Sequence, residues 1–215
     1  MDSDGPIGVL AGGPGGRLVA GGLARLMPRE DVLLISDEGW APWARRPGRT
    51  VAARCVALAG ELAAGGAKLI VLASLQGTLD GLEDVRRLVP VQVLGFELEP
   101  LVMQATAIAR GGPLTVVVAP GSVRPAQLTA ALKRVRAGGL PVIGPADPLP
   151  SAGALALASA TVGLAPGQVP PGVQVVGAAE LAVQRAHRAL TRARLLARRK
   201  RAGRLLAMSS HPVRA

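Results

Sequence analysis

Short apolar runs alternate along the chain with stretches whose apolar positions recur every three or four residues. PIGVLAG (6–12), DVLLISD (31–37), KLIVLAS (68–74) and VQVLGF (91–96) are continuous enough to be strands buried on both faces. LVAGGLARLM (18–27), TVAARCVALAGELAAGG (50–66) and DGLEDVRRLV (80–89) carry the helical period between them. After Glu99-Pro100 a second set follows: LTVVVAP (114–120), PAQLTAALKRVRAGG (125–139), LPVIGP (140–145), ALALASAT (154–161) and VQVVG (173–177). Alternation of this kind predicts parallel sheets covered by helices, here as two tandem α/β units: residues 1–98, then a shorter unit over 99–177. From 178 to 215 a basic helix is predicted, with an Ala-rich stripe of Ala179, Ala182, Val183, Ala186, Ala189, Leu190 and Ala193 docking on the first unit.

Ligands of parallel α/β sheets bind at the carboxyl ends of strands. Four loops qualify: AGGPGGR (11–17), SDEGWAPWARR (36–46), SLQGT (74–78) and SATVGLAPG (159–167). The first has glycines that allow close backbone approach, but neither phosphate-loop nor dinucleotide spacing, so it reads as an anion contact or a tight turn. Asp37 reads as a turn or helix-capping residue. Trp40 and Trp43 either plug the crevice or present an adhesive surface.

Composition narrows the picture. With 215 residues, 49% of them hydrophobic, the chain can bury a sizeable core without disulfides or metals. The only aromatics are Trp40, Trp43 and Phe96, so Leu, Val, Ile and Ala must pack it. No apolar run is long enough for a membrane span, and the acidic start MDSDGPIG lacks signal-peptide character, which points to the cytoplasm. The single cysteine, Cys55, excludes an internal disulfide and a Cys-rich zinc site; in register with Val51, Leu58 and Leu62, it reads as a core thiol.

The strand-end loops together resemble the glutamate racemases of the aspartate/glutamate racemase superfamily. IGVLAGGPGGRL is similar to that family's Ile-Gly-Val-Phe-Asp-Ser-Gly-x-Gly-Gly, and LMPREDVLLISDEGWAPWARRP to its Leu-Pro-x-Glu-Asp, strand, Asp and Pro-Tyr-Gly loop. KLIVLASLQGT resembles the strand ending in Cys-Asn-Thr, GFELEP the end of the first domain, VVVAPGSVRPAQL the Ala-Thr and Thr-Val segment, and ALALASATVGLAP the strand ending in Gly-Cys-Thr-His. The likeness is ordered from residue 6 to about 135 and thin from 136 to 180, where RAGGLPVIGPADPLPSAG is shorter than its counterpart.

The resemblance implies cofactor-independent, metal-free racemisation that supplies D-glutamate for peptidoglycan. In that chemistry one thiolate removes the α-proton while a thiol on the opposite face returns one. By the resemblance, the two catalytic cysteines fall on Ser74 and Ala160, their assisting Asp and His on Ala11 and Val162. The family's Ser, Asn and Thr become Gly12, Leu75 and Gln76, and its Pro-Tyr-Gly loop becomes Pro42, Trp43 and Ala44. A serine nucleophile needs an adjacent base, and the only histidines, His187 and His211, lie in the basic tail. Ser74 is therefore read as a ligand contact or an inherited small polar residue. Expected ligand contacts are Gly12, Gly13, Pro42, Trp43, Ser74, Gln76 and Thr161, toward an amino acid or carboxylate.

The net charge of +11 resides almost wholly in residues 181–215, which hold 10 of the 25 Lys and Arg and no Asp or Glu. A helix to about Met208 would place Arg185, Arg188, Arg192 and Arg199 on one face, followed by Arg198, Lys200 and Arg201. This tail reads as a solvated helix end or as a surface for nucleic acid, acidic lipid or acidic protein. With no aromatic in it, base stacking is not expected, and any nucleic-acid binding would be electrostatic and unspecific. The resulting expectation is a non-catalytic binding or regulatory relative of the racemases, with a racemase of altered site as the alternative; an oligomer is admitted by either.

Overall fold

The computed structural model describes residues 2–159, 164 and 167–209. The first unit begins with strand β1 (Ile7–Ala11), helix α1 (Gly16–Leu26) and strand β2 (Val32–Ser36). It continues with α2 (Gly48–Ala64), β3 (Leu69–Leu72), α3 (Leu75–Leu88) and β4 (Gln92–Gly95). Helix α4 (Leu98–Ala109) leads into the second unit, made of β5 (Leu114–Val117), α5 (Pro125–Arg134), β6 (Val142–Ile143), β7 (Ala154–Leu157) and β8 (Gln174–Gly177). Helix α6 (Ala178–Ala193) and strand β9 (Leu205–Ser209) return to the first unit.

Both sheets are parallel throughout, with strand orders β4-β3-β1-β2-β9 and β6-β5-β7-β8. The tandem-unit reading of the apolar runs is the fold that is observed. Strands β1 and β3 are buried at every position, which is why their sequences show no alternation. In the first sheet the chain moves from β1 outward to β2 and then back across to β3; in the second it does the same from β5 to β6 and β7. Each sheet thus has one switch point, β1/β3 and β5/β7, where adjacent strand-end loops diverge and leave a crevice.

One apolar core runs through both units. Val9 and Val71 of the first sheet, Val19 and Leu23 of α1, Leu101 and Ala105 of α4, Ala182 and Ala186 of α6, and Val116 and Ala156 of the second sheet belong to it. The opposite face of the first sheet packs on α2 and α3, with Leu62, Cys55, Leu82 and Trp43 in the contact. No helix among the described residues is long and apolar enough to cross a membrane.

Two elements depart from the sequence reading. Helix α4 falls between the runs ending at Phe96 and starting at Leu114, where no element is predicted, although Leu98, Leu101 and Ala105 point inward from it at helical spacing. The basic helix, expected to reach about Met208, ends at Ala193: Arg194 adopts the left-handed conformation (φ 56°) and Leu195 N–H closes back on the Leu190 carbonyl at 2.9 Å. Beyond it the chain lies along Glu30 and Asp31 and joins the sheet as β9, paired from Val32↔Leu205 to Ser36↔Ser209. The arrangement is fixed by acids: the Glu30 carboxylate accepts from Ala197 N–H at 2.7 Å, while Asp31 accepts from Arg199, Arg201 and Arg204 N–H. Arg199 and Arg201 are therefore spent on Asp31, and Arg199 does not share the face of Arg188; Arg198 and Lys200 remain exposed.

Candidate functional site

The two switch points face one another across a cleft of about 210 Å³. The first unit contributes Gly12 to Gly15 after β1, Ala41 to Trp43 after β2, and Ala73 to Leu75 after β3; the second contributes Pro120 to Ser122 after β5 and Ser159 after β7. Five of the expected contacts, Gly12, Gly13, Pro42, Trp43 and Ser74, are thereby brought together. Ala160 and Thr161, together with Val162, lie outside the described residues.

Ser74 is the N-cap of α3. Its hydroxyl accepts from Gly77 N–H at 3.1 Å, satisfying one of the donors a helix start leaves open, and its carbonyl takes the Thr78 hydroxyl at 2.8 Å. Capping uses an oxygen lone pair and leaves the hydroxyl proton directed by whatever occupies the cleft.

Trp43 is buried and forms the floor. Its indole is wedged between two glycines: a Cβ at Gly12 would lie 2.4 Å from Cδ2, and one at Gly77 would lie 2.6 Å from Cζ3. Its Nε1 donates to Asp37 at 3.1 Å, and Asp37 is gripped by Arg54 through Nε at 3.1 Å and Nη2 at 2.8 Å. The Asp37 carboxylate holds the Arg54 guanidinium protonated beyond its usual range despite partial burial. Asp37 stands at the N-cap of the 3-10 turn Glu38–Trp40, its carbonyl accepting from Trp40 N–H at 3.2 Å, but its carboxylate makes no cap bond and is fully buried as the anchor of the floor. Trp40 is half-buried beside the cleft, with the Arg46 guanidinium 5.0 Å from its ring centre.

Gln76 was expected at the ligand and is not in the cleft lining. It is fully buried, its amide donating to Asp80 and Gln127, both at 2.8 Å, and accepting from Arg124 N–H at 2.8 Å. Asp80 receives Arg124 at 2.5 Å and Gln127 Nε2 at 2.7 Å, so the four side chains tie α3 of the first unit to α5 of the second. Nothing local in the sequence marks this cluster, since its members reach 51 residues apart, at the bond between Gln76 and Gln127. The cleft wall at Pro120, Gly121 and Ser122 was also missed, although it follows a strand end and the same rule that selected the other loops would have found it.

Cys55 faces away from the cleft, packed in the α2/α3 contact with its Sγ 3.2 Å from where a Gly81 Cβ would stand. Burial pushes its thiol far up, and Asp80 and Asp37 add to the effect. Among the described residues that line the cleft none carries an ionisable side chain, and none of the described residues forms a group able to hold a metal.

No family model matches the chain. The glutamate racemase of Pseudomonas putida (strain GB-1) is 34% identical over 129 residues, 60% of this chain and 48% of that protein. The chain spans about half the length of the curated relatives it matches. A glutamate racemase from Thermus thermophilus, solved with β-chloro-D-alanine, superposes with a TM-score of 0.77 at 25% identity, covering 98% of this chain and 89% of that one. The chain is thus similar in sequence to glutamate racemases over its first part and shares their fold over nearly all of its length. A further glutamate racemase, from Francisella tularensis and solved with D-glutamate, shares the fold at a TM-score of 0.76 and 15% identity. As a glutamate racemase relative the chain has its cleft at the meeting of the two sheets' switch points, with Gly12, Trp43 and Ser74 on the first unit's side.

Proposed function

We propose that this chain is a non-catalytic member of the glutamate racemase family, binding a small amino acid or carboxylate in the cleft and acting as a regulatory protein of D-glutamate and peptidoglycan metabolism in the cytoplasm. The observation that carries this reading is chemical. Moving a proton across an α-carbon needs two groups, one on each face, that can lose and regain a proton near neutral pH. The described cleft wall offers the hydroxyls of Ser74, Ser122 and Ser159, and no acid, imidazole or thiol. In the sequence that follows Ser159, Ala160 to Gly163 add no titratable side chain. The sole cysteine is buried in the α2/α3 contact with its thiol held neutral.

Binding is a separate matter. The loop from Gly12 to Gly15 precedes α1 and lines the cleft, so main-chain N–H groups there favour a carboxylate. The Ser74 and Ser122 hydroxyls suit an ammonium or a second carboxylate.

The test is made on protein from a host whose own racemase genes are deleted. D- and L-glutamate are each incubated with it in D₂O and the α-proton followed by NMR, while thermal melts are recorded with both enantiomers. The expected result is no deuterium at the α-carbon together with a melting temperature raised by ligand. Incorporation that scales with protein concentration would establish the altered-site racemase instead, and a melt unmoved by both enantiomers would remove the ligand half of the proposal.

A further inference from the structure

On the side of α6 turned away from the shared core, a groove of about 860 Å³ runs between α6 and α4. Its floor is apolar, with the edges of the buried Leu94 and Leu181 at its base and the half-buried Pro100 and Ala189 beside them. Met103 forms the opposite wall and is 66% exposed, an uncommon place for a long unbranched thioether unless something adaptable packs on it. Arg185, Arg188 and Arg192 form the rim at i, i+3 and i+7, a row about 10 Å long on one helix face. Arg185 is fixed in place by Glu97 and the Gly95 carbonyl. Arg188 and Arg192 are exposed and have no ion pair among the described residues, and no Asp or Glu lines the groove.

We propose that this groove docks an acidic amphipathic helical segment of a partner protein. An apolar floor flanked by one row of cations is complementary to a helix with apolar residues on one stripe and carboxylates on the next. Nucleic acid would satisfy the arginines but leave the Pro100, Met103 and Ala189 surface facing water, and no aromatic lines the groove to stack on a base. The face lies on the return helix and shares no residue with the cleft, so partner binding and ligand binding are separable. The basic surface is accordingly narrower than the sequence suggests: Arg199 and Arg201 hold the chain to Asp31, and of the cations that line this groove Arg188 and Arg192 are the ones free to meet an anion.

The experiment is a fluorescence anisotropy titration of the full chain, at physiological ionic strength, into a labelled peptide of about 18 residues carrying Leu on one helical face and Glu on the adjoining one, roughly 27 Å long when helical. Saturable binding is expected, weakened about tenfold or more by Arg188→Glu/Arg192→Glu and by Met103→Glu, and changed by less than about threefold in Arg188→Lys/Arg192→Lys. A peptide of identical composition, reordered to abolish the apolar face, is expected to bind about tenfold more weakly. Circular dichroism of each variant verifies the fold, which these exposed side chains do not support. Equal binding of the two peptides, tighter binding of duplex DNA than of the amphipathic peptide, or no binding at all overturns the proposal.

Discussion

The wedge of Trp43 between Gly12 and Gly77 allows a quantitative test of how the cleft floor is built. Replacing Gly12 by Ala puts a methyl carbon 2.4 Å from Cδ2 and 2.8 Å from both Cε2 and Cγ of the indole. The ring has no retreat, because its far edge already abuts the Gly77 backbone and its Nε1 is held by Asp37 at 3.1 Å. Overpacking of a fixed site costs roughly 1–3 kcal/mol, and the lack of room places Gly12→Ala toward the upper end, about 2–3 kcal/mol. Trp43→Ala removes a fully buried indole and costs about 3–5 kcal/mol through lost burial and the cavity left behind; Asp37 stays paired with Arg54. In the double variant the new methyl enters vacated space and the clash is gone. The sum of the single effects should therefore exceed the double by about 2 kcal/mol, a strongly negative coupling energy. Urea unfolding followed by circular dichroism measures it without relying on the replaced tryptophan; at about 2 kcal/mol per molar urea the coupling corresponds to a midpoint difference of about 1 M. Additivity within about 0.5 kcal/mol would refute the wedge and with it the account of why a glycine stands at position 12.

Three further outcomes follow from the same geometry. Ser74→Cys places a thiol at the start of α3 beside an open cleft, where the helix N-terminus favours the thiolate; iodoacetamide at pH 7 should label it rapidly while buried Cys55 in the parent protein stays unmodified, and comparable labelling of the two would contradict their placement. Lys68 and Glu30, both about fully buried, pair at 2.5 Å, so Lys68→Met leaves an uncompensated carboxylate and should cost about 3–5 kcal/mol, measured by urea midpoint and largely restored by adding Glu30→Gln. The Asp31 carboxyl is held far below the usual carboxylate range, chiefly by its bond to Arg201 against the opposing effect of burial, so its contribution is complete above the ordinary aspartate value of about 4 and is lost as pH falls below it. Between pH 5 and 8 the segment carrying β9 should be equally protected; Asp31→Asn at pH 7 should raise trypsin cleavage at Lys200 and Arg201 about thirtyfold, equivalent to about 2 kcal/mol of local opening, and an unchanged rate would show that the acid does not hold the strand.

What the chain displayed in advance was whatever depends on neighbours in sequence. Continuous apolar runs such as LIVL read directly as strands buried on both faces, and the glycine-rich turn after β1 marks a strand-end loop whatever its ligand. Ser74 could be placed at the cleft, since a strand end in a parallel sheet has only one place to go. Its use as a helix cap was also latent in the strand-Ser-helix order. What stayed hidden depends on partners far apart. Asp37 resembles any turn aspartate until Arg54 and Trp43 arrive from the following segment; Gln76 resembles a loop contact until Arg124 and Gln127 close over it. LLAM has helical propensity after a long helix, and Asp31, with three separate donors from the returning chain, together with Glu30, which accepts from Ala197 N–H, turns it into the fifth strand.

These hidden contacts share a direction. In the first unit every strong polar group near the cleft is turned away from it: Asp37 toward Arg54, Gln76 and Asp80 toward Arg124 and Gln127, Glu38 toward Arg17 at 3.0 Å. Each such pairing satisfies a charge or an amide that would otherwise face the cleft or a buried void, and each reduces what the site can do to a bound molecule. A catalytic cleft keeps at least one titratable group unsatisfied and aimed at the reacting atom, because a proton can be taken only by a base that is not already engaged. Here the described lining consists of backbone, apolar surface and hydroxyls, while the network of Asp80 and Arg124 ties the two walls to one another. On the non-catalytic reading proposed above, that combination suits holding a small ligand in a fixed gap between the units, and the state of the gap is the property a bound ligand would change.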